Sequence, residues 1–441
     1  MRRPGFPAFA VLAALLLLTA GCAVRQAAGP AEPLAQDAGA YHQLPADAPL
    51  LSPEVQTAAW SDFLLRHFDP WERSEPAYPA DKVFWGLTVF AGRTLYGENT
   101  LARDPDWLAA LADNARPGDY PSLNRRAIAV ANTAMRVLPS DRPIFYDASK
   151  AGEGFPFDYM QNSLVLAGTP LYATHESADR AWVLVESRFA FGWVRATDIA
   201  WVDDAFAKAF QTGVYAAVVR DNVPVTDEQG VFRFTATIGG IFPVAGGGGE
   251  SGFVVAVPAR DAEGDAVLRL ARLGSDDAEP APLKATPANF ARLANRMLGE
   301  PYGWGGLYGD RDCSATTMDL MAAFGIFLPR NSSQQAKVGW IVPLETGDAA
   351  TKKARLLKEG MPFLTLVRKP GHIMLYIGSR DGEPVVLHTV WGLKTRRDGV
   401  EGRAVIGRTV ITTLEPGADL KDLARPEGLL INAVGSFNTL P

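Results

Sequence analysis

Cysteine and histidine are scarce in this chain. Its 441 residues include two cysteines, Cys22 and Cys313, and five histidines. Two cysteines so far apart provide no disulfide framework, although a single bond between them stays possible, and no closely spaced cysteine pair predicts a zinc site. Positive charge is not in excess either, because the formal net charge is -6. A nucleic-acid partner is therefore not expected, since such proteins carry basic patches.

Glycine and proline are abundant, with 42 and 32 residues. This composition favours a turn-rich, β-rich protein over a helical bundle. The length exceeds what one hydrophobic core organises and suggests about three domains. The chain is thus expected to be a multidomain α+β protein.

The N-terminus has the features of an export signal. Arg2 and Arg3 precede an apolar run from Phe9 to Leu18, which is too short to span a bilayer comfortably. Thr19-Ala-Gly-Cys22 follows and resembles the bacterial lipoprotein signal, in which the cysteine is acylated. The alternative is an ordinary signal peptide that happens to contain a cysteine. We predict a signal peptide over 1–21, lipidation at Cys22, a flexible tether over 22–48, and a membrane-anchored protein on the periplasmic side of the cell envelope.

The mature chain divides by pattern into four segments. Residues 49–124 have broken helical signals, the clearest of which begins at Asp104-Pro105. Short strands separated by Gly and Pro predict small β-barrels over 125–203 and 204–280. In the first barrel, the run from Gly168 through Trp182 to Gly192-Trp-Val194 resembles bacterial SH3-like domains. Residues 286–441 form the last domain, which opens with a helix signal at Thr286-Pro287.

Cys313 is the cysteine available for chemistry once Cys22 is assigned to the lipid. The pattern after Asp312-Cys313-Ser314 is helical, so Cys313 is predicted at or near a helix N-terminus. Aligned backbone dipoles there are expected to stabilise the nucleophilic thiolate, and the free N–H groups can hold an oxyanion. The alternative reading is an inert, buried thiol.

Two of the five histidines share the last domain with Cys313. His372 opens an alternating run, and His388 lies in a second run beyond a turn near Arg380 or Asp381. The hairpin would bring His388 roughly opposite His372, so that one is the base and the other orients its ring. A metal site formed with Cys313 is the alternative, but no further Cys/His cluster supports it, and we predict no metal or cofactor.

Five motifs in order resemble the NlpC/p60 family of cell-wall cysteine peptidases. They are Tyr302-Gly-Trp-Gly-Gly306, Asp312-Cys-Ser314, Leu328-Pro-Arg-Asn-Ser332 with Gln335, His372 leading to Gly378, and His388. With two barrels upstream, the chain resembles bacterial γ-D-glutamyl-L-diamino acid endopeptidases. The resemblance implies a papain-like domain, with helices packed on an antiparallel sheet, that cleaves the γ-D-glutamyl–diamino acid bond of peptidoglycan stem peptides. Ala315 and Asn331 depart from the commoner Gly and Asp.

The resemblance also implies residue roles. Cys313 attacks, His372 is the base and then the acid, His388 orients it, and Tyr302 helps the Cys313 N–H to hold the oxyanion. The residues expected to bind substrate, including a free N-terminal amine of L-Ala, are Trp304, Asp312, Ser314, Asn331, Ser332 and, from the first barrel, Asp158 or Tyr159. We expect a monomer. The alternatives are a Cys-His amidase or acyltransferase on another wall or lipid amide, and a non-catalytic peptidoglycan-binding lipoprotein.

Overall fold

The computed structural model describes residues 34–344 and 346–441. Its α-helices are α1 Pro53–Glu72, α2 Ala80–Val83, α3 Trp85–Phe90, α4 Pro105–Ala115, α5 Asp204–Phe210, α6 Pro287–Met297, α7 Cys313–Ala323, α8 Ser332–Gln335, α9 Ala349–Glu359 and α10 Leu430–Ala433. Helix starts follow local chemistry, because Asp104 and Thr286 cap α4 and α6 and a proline occupies the first turn of each.

The strands form three main antiparallel sheets. They are β1 Arg125–Ala129, β2 Thr133–Arg136, β3 Gln161–Val165, β4 Pro170–Glu176, β5 Trp182–Glu186, β6 Phe191–Arg195, β7 Ile199–Trp201, β8 Tyr215–Val218, β9 Val223–Thr226, β10 Phe232–Ala236, β11 Ile241–Gly247, β12 Phe253–Arg260, β13 Ala266–Leu273, β14 Ala278–Ala281, β15 Trp340–Pro343, β16 Thr365–Lys369, β17 His372–Arg380, β18 Glu383–Arg397, β19 Val400–Thr413 and β20 Ser436–Thr439.

The first two sheets form the small barrels. The first has the order β3-β2-β6-β5-β4-β1-β7 around an apolar core that includes Val165, Leu171 and Val185. The second has the order β13-β12-β11-β8-β14, with β9 and β10 as a separate ribbon, and its core includes Val218, Phe242 and Val255. Short strands with alternating buried residues thus produce two β-rich units ahead of the last domain.

The last domain places α7 against a six-stranded sheet of order β15-β20-β16-β17-β18-β19. Every residue of α7 is buried. Met318 and Leu320 on α7 share one apolar cluster with Ile373 and Leu375 on β17. Because the helix is buried on all sides, packing fixes α7 along its length. Its N-terminus, with Cys313 as first residue, is therefore held rigidly.

The predicted tether is wrong for residues 34–48, which pack on the last domain. Ala38 and Tyr41 are buried. The side chain of Gln36 pairs with both backbone groups of Ile411, donating to its carbonyl at 3.0 Å and accepting from its N–H at 2.9 Å. The Ala and Pro composition suggested a chain without a core, but this polar side chain extends the hydrogen bonding of β19 instead. Residues 1–33, including the predicted signal and Cys22, lie outside the described residues.

Helix α1 packs between the barrels and the last domain. Phe63, Phe68 and Trp71 are buried, and the Trp71 indole donates to the carbonyl of Ala127 at 2.8 Å. The aromatic residues of the N-terminal segment thus join the core that all the units share. None of the helices in the described part of the chain is long and apolar enough to cross a membrane.

Candidate active site

Cys313 lies at the floor of a cleft of about 270 Å³. It is the first residue of α7, and Asp312 caps the helix by accepting from the N–H of Ala315 at 2.8 Å. The cysteine is 8% exposed, and it is a free thiol. The predicted position of the nucleophile at a helix N-terminus is therefore what the structure shows.

His372 and His388 are in direct contact. Nε2 of His372 lies 2.8 Å from Nδ1 of His388, and Nε2 of His388 lies 3.1 Å from Oγ1 of Thr412. The hairpin ladder pairs Leu375 with Leu387, so the two imidazoles meet along a diagonal rather than directly across. The chain of contacts leaves Nδ1 of His372 available for a proton from the Cys313 thiol, whose sulfur faces the N–H of Ile373.

The site rests as a thiol and neutral imidazoles. Burial raises the pKa of Cys313 to about 12, and the Asp312 carboxylate adds to this effect. Burial, His388 and Lys369 hold the pKa of His372 well below its usual value, and burial and Lys369 lower that of His388 to about 3. Burial and the negative cap thus oppose the thiolate that the helix N-terminus is expected to stabilise.

Both carboxylate oxygens of Asp312 accept hydrogen bonds. Its Oδ1 accepts from Ser314 and Arg330 at 3.0 Å each, and its Oδ2 accepts from Arg330 at 2.7 Å and the Gly305 N–H at 3.1 Å. Although burial opposes it, Arg330 keeps the pKa of Asp312 below its usual value. Arg330 also donates to Oγ of Ser163 on β3 at 2.9 Å. Asp312 therefore borders the cleft as a bidentate ion pair, and a substrate ammonium there would share it with Arg330.

The remaining cleft walls come from the last domain, the first barrel and Trp85 of α3. The last domain supplies Tyr302, Trp304, Ser314, Asn331 and Ser332, and the barrel supplies Tyr159, Gln161 and Asn162. Burial raises the pKa of Tyr302, with Asp312 and Cys313 adding to it, so its hydroxyl remains a donor beside the nucleophile. The Gln161 amide donates to the carbonyl of Gly305 at 3.1 Å, which joins the barrel to the loop ahead of Cys313.

The two barrel residues expected at the substrate have different surroundings. Tyr159 lines the cleft, and its hydroxyl donates to Glu153 at 2.9 Å. Asp158 does not line this cleft. It is buried, its Oδ2 pairs with Arg136 at 2.7 Å, and its Oδ1 accepts from the N–H groups of Ile144 and Met160. Asp158 thus stabilises the barrel, and Glu153 is the acidic group beside Tyr159.

The second barrel contacts α7 away from the cleft, through Arg311. The guanidinium donates to both carboxylate oxygens of Asp221 at 2.7 and 2.8 Å, and to Asp319 of α7 at 2.7 Å. It also donates to Oγ1 of Thr237 at 2.8 Å and to the carbonyl of Ile238 at 2.9 Å. Although burial opposes it, Asp221 and Asp319 raise the pKa of Arg311. This network binds the catalytic helix to the barrel behind it.

Sequence reasoning gave no role to Arg330 or Arg311. Arg330 lies inside the Leu328–Ser332 motif, which could have identified it, whereas its partner Ser163 is 167 residues away. Arg311 precedes Cys313 by two positions, but its partner Asp221 is 90 residues earlier. Among the described residues, no group of three or more His, Cys, Asp or Glu side chains is arranged to hold a metal ion.

A thiol at a helix N-terminus, a histidine pair on the adjoining sheet and two barrels ahead of them define a thiol-hydrolase type of domain with SH3-like partners. Family models match accordingly. The NlpC/P60 family matches residues 299–405, the N-terminal NLPC_P60 stabilising domain 9–120, an SH3 domain of SH3b1 type 143–195 and one of SH3b2 type 203–247. Residues 299–405 therefore match an NlpC/P60 domain that follows two SH3-like domains, which confirms the predicted resemblance and fold class.

Two relatives are similar over different lengths. An NlpC/P60 endopeptidase from Photobacterium damselae subsp. piscicida superposes with a TM-score of 0.84 at 26% identity, covering 92% of this chain and 97% of that one. The gamma-D-glutamyl-L-lysine dipeptidyl-peptidase of Bacillus subtilis (strain 168) is 32% identical over 96 residues. That match spans 22% of this chain and only 30% of the Bacillus enzyme.

Proposed function

We propose that this protein hydrolyses the γ-D-glutamyl–diamino acid bond of peptidoglycan stem peptides that have a free N-terminal L-Ala. The observation that carries the proposal is the Cys313 thiol at the N-terminus of α7 on the floor of a cleft, with the His372–His388–Thr412 chain on the adjoining sheet. The similarity to the Bacillus γ-D-glutamyl-L-lysine dipeptidyl-peptidase supports the bond.

The reaction proceeds through a thioester. As Sγ of Cys313 bonds to the γ-carbonyl carbon, His372 takes the thiol proton, and the oxyanion receives the Cys313 N–H and the Tyr302 hydroxyl. Collapse expels the diamino acid amine, which leaves with the proton from His372. Water then attacks the thioester, again with His372 as base, and releases the glutamyl carboxylate and the thiol. His388 fixes the His372 ring throughout, and Thr412 fixes His388.

The preference for a free N-terminus is supported by the first barrel. Its Phe157 ring lies 6.0 Å from Trp391 of β18, and Gly152 lies against the Arg403 guanidinium of β19. The barrel loop and the β18–β19 hairpin therefore meet next to the cleft wall, where the Phe157 ring lies 6.4 Å from Tyr302 and 5.2 Å from Trp304. The Tyr159–Glu153 pair supplies a carboxylate for an ammonium at the barrel side of the cleft. This arrangement suits stem peptides already released from the glycan.

We further propose that the protein is exported and lipid-anchored at Cys22. The support is the sequence alone, a charged start and a short apolar run ending in Ala-Gly-Cys. Metabolic labelling with an alkyne fatty acid should modify the wild-type protein and leave the Cys22→Ala variant unlabelled. Equal labelling of both would contradict the anchor.

The enzymatic proposal is tested with purified protein and muropeptides, with products identified by mass spectrometry. We expect release of L-Ala-D-Glu from peptides with a free N-terminus, and little release from N-acetylated ones. Other cleavage products would point to a different amide, and no turnover under reducing conditions to a binding protein.

Cys313→Ala should abolish turnover, because no other thiol in the last domain can form the thioester. The melting temperature of this variant should stay close to that of the wild type, since the buried thiol makes few stabilising contacts. A control is Ser61→Ala, an exposed serine on α1 away from the cleft, which should leave turnover unchanged. Residual turnover by Cys313→Ala would exclude this cysteine as the nucleophile.

A further inference from the structure

Lys369 is a cation next to the catalytic histidines that the mechanism does not use. It ends β16, and the ladder places it directly opposite His372, the first residue of β17. Paired residues of this kind have their side chains on the same face of a sheet, within contact distance. Between them, the turn residue Gly371 lines the Cys313 cleft. Lys369 thus lies at the cleft end formed by the β16–β17 turn.

Lys369 has no carboxylate partner among the described residues. Its ammonium makes one long hydrogen bond, 3.4 Å to the carbonyl of Pro370. The titratable groups around it are the Cys313 thiol, Arg403 and the imidazoles of His372 and His388, and burial together with Arg403 lowers the pKa of Lys369. Arg403 itself is paired with Glu401 at 2.9 Å. A half-buried ammonium without a counter-ion is costly, so an anionic group is expected there when substrate is bound.

The position of Lys369 relative to His372 indicates which half of the substrate it meets. His372 protonates the departing amine and must therefore face the leaving half. The residues lining the Cys313 cleft come from α3, from the first barrel and from segments 302–305, 312–314 and 330–332. At the β16–β17 turn Gly371 lines this cleft and Lys369 does not. The acyl half, which ends in the attacked carbonyl, fills that cleft. Lys369 lies beside His372 and is accessible to the diamino acid.

We propose that Lys369 binds a carboxylate on the side chain of the departing diamino acid, so that the enzyme prefers diaminopimelate to lysine at this position. The inference rests on the proposed function. Diaminopimelate ends in a carbon carrying both an ammonium and a carboxylate, whereas the lysine side chain ends in an ammonium alone. Beside Lys369, the first gains a charge-assisted hydrogen bond and the second meets a like charge.

The test compares two tripeptides that differ in this carboxylate, L-Ala-γ-D-Glu-meso-diaminopimelate and L-Ala-γ-D-Glu-L-Lys. The full-length chain, purified in detergent, should cleave the first with a kcat/KM about tenfold or more above the second. Lys369→Met should bring the ratio towards one, mainly by losing activity on the diaminopimelate peptide. Lys369→Arg should keep the preference, and Lys369→Glu should reverse it. Using the ratio cancels any general effect of these substitutions on His372.

The outcomes separate this inference from the proposed function. Cleavage of both peptides with a ratio that Lys369→Met leaves unchanged would overturn the role of Lys369 while the proposed function stands. Equal loss on both peptides would also overturn it, because both have the same α-carboxylate. If wild-type protein cleaves neither peptide, the proposed function itself fails. Lys208→Met, an exposed lysine on α5, is the control and should leave the ratio unchanged. Lys369→Met should melt no lower than wild type, since it removes an unpaired cation.

Discussion

The two barrels share an architecture but contact the last domain differently. The first barrel contacts the cleft side of the last domain. Tyr159 lines the Cys313 cleft, and Ser163 accepts a hydrogen bond from Arg330. The second barrel supplies none of the residues lining that cleft in the described part of the chain, and it binds α7 from behind through Asp221 and Arg311. One barrel therefore lines the Cys313 cleft, and the other contacts the helix that begins with Cys313.

Among the substitutions that test this difference between the barrels, Arg311→Met should have the largest effect on stability. The substitution leaves Asp221 and Asp319 as buried carboxylates without their cation. Breaking a buried ion pair from one side costs about 3–5 kcal/mol, so the free energy of unfolding should fall by that amount in urea titrations. Because the network joins α7 to the second barrel, activity should be lost together with folded protein.

Arg195→Met is the matched control for that experiment. Arg195 pairs with Asp141 on the surface of the first barrel, where both side chains are about half exposed. Exposed pairs contribute about 0–1 kcal/mol, so this variant should be nearly as stable as the wild type. Similar losses for the two variants would mean that the second barrel does not brace α7 through Arg311.

Acid should expose a second difference, because buried histidines lie in the first barrel and in the last domain. Burial lowers the pKa of His175 on β4 of the first barrel, and burial with Lys369 lowers that of His388 to about 3. Unfolded histidine titrates near 6.5, so below that pH the unfolded chain binds more protons and stability falls towards pH 3. The expected slope is about 1.4 kcal/mol per pH unit for each such histidine.

Urea unfolding between pH 7.5 and 4 measures that slope. His388→Asn should flatten it by about one proton, since its partner contacts remain satisfiable by an amide. His175→Asn tests the barrel in the same way. A slope that His388→Asn leaves unchanged would contradict the contribution of His388, and one that His175→Asn leaves unchanged would contradict that of His175.

How much the sequence predicts depends on how local the causes are. The starts of α4 and α6 follow from Asp104 and Thr286 with the prolines after them, and the hairpin follows from alternation on either side of Asp381-Gly382. The Cys313 helix and the two histidines of the last domain were found in the same way. Each of these signals is contained within about ten residues.

The contacts that complete the site were not predictable, because they join distant segments. Arg330 connects Asp312 to Ser163, and Gln36 extends β19, yet neither residue differs in its local pattern from a solvated side chain. The protonation of Cys313 depends on distant segments in the same way. The helix N-terminus is visible in sequence, whereas the burial that raises the pKa of Cys313 is a property of the packed fold.

The smallest expected effect concerns the contribution of the first barrel to substrate binding. Tyr159→Phe removes the hydroxyl that donates to Glu153 and keeps the ring, which lies 6.0 Å from Trp304. Loss of one hydrogen bond to a charged group is worth about 1.5–3 kcal/mol, so kcat/KM for free-amine peptides should fall about tenfold or more. The loss should appear mainly in KM, with the melting temperature unchanged. Tyr308→Phe, whose ring is 82% exposed, is the control. If Tyr159→Phe instead lowers stability and leaves KM unchanged, the first barrel braces the fold as the second does, and the two barrels no longer differ in role.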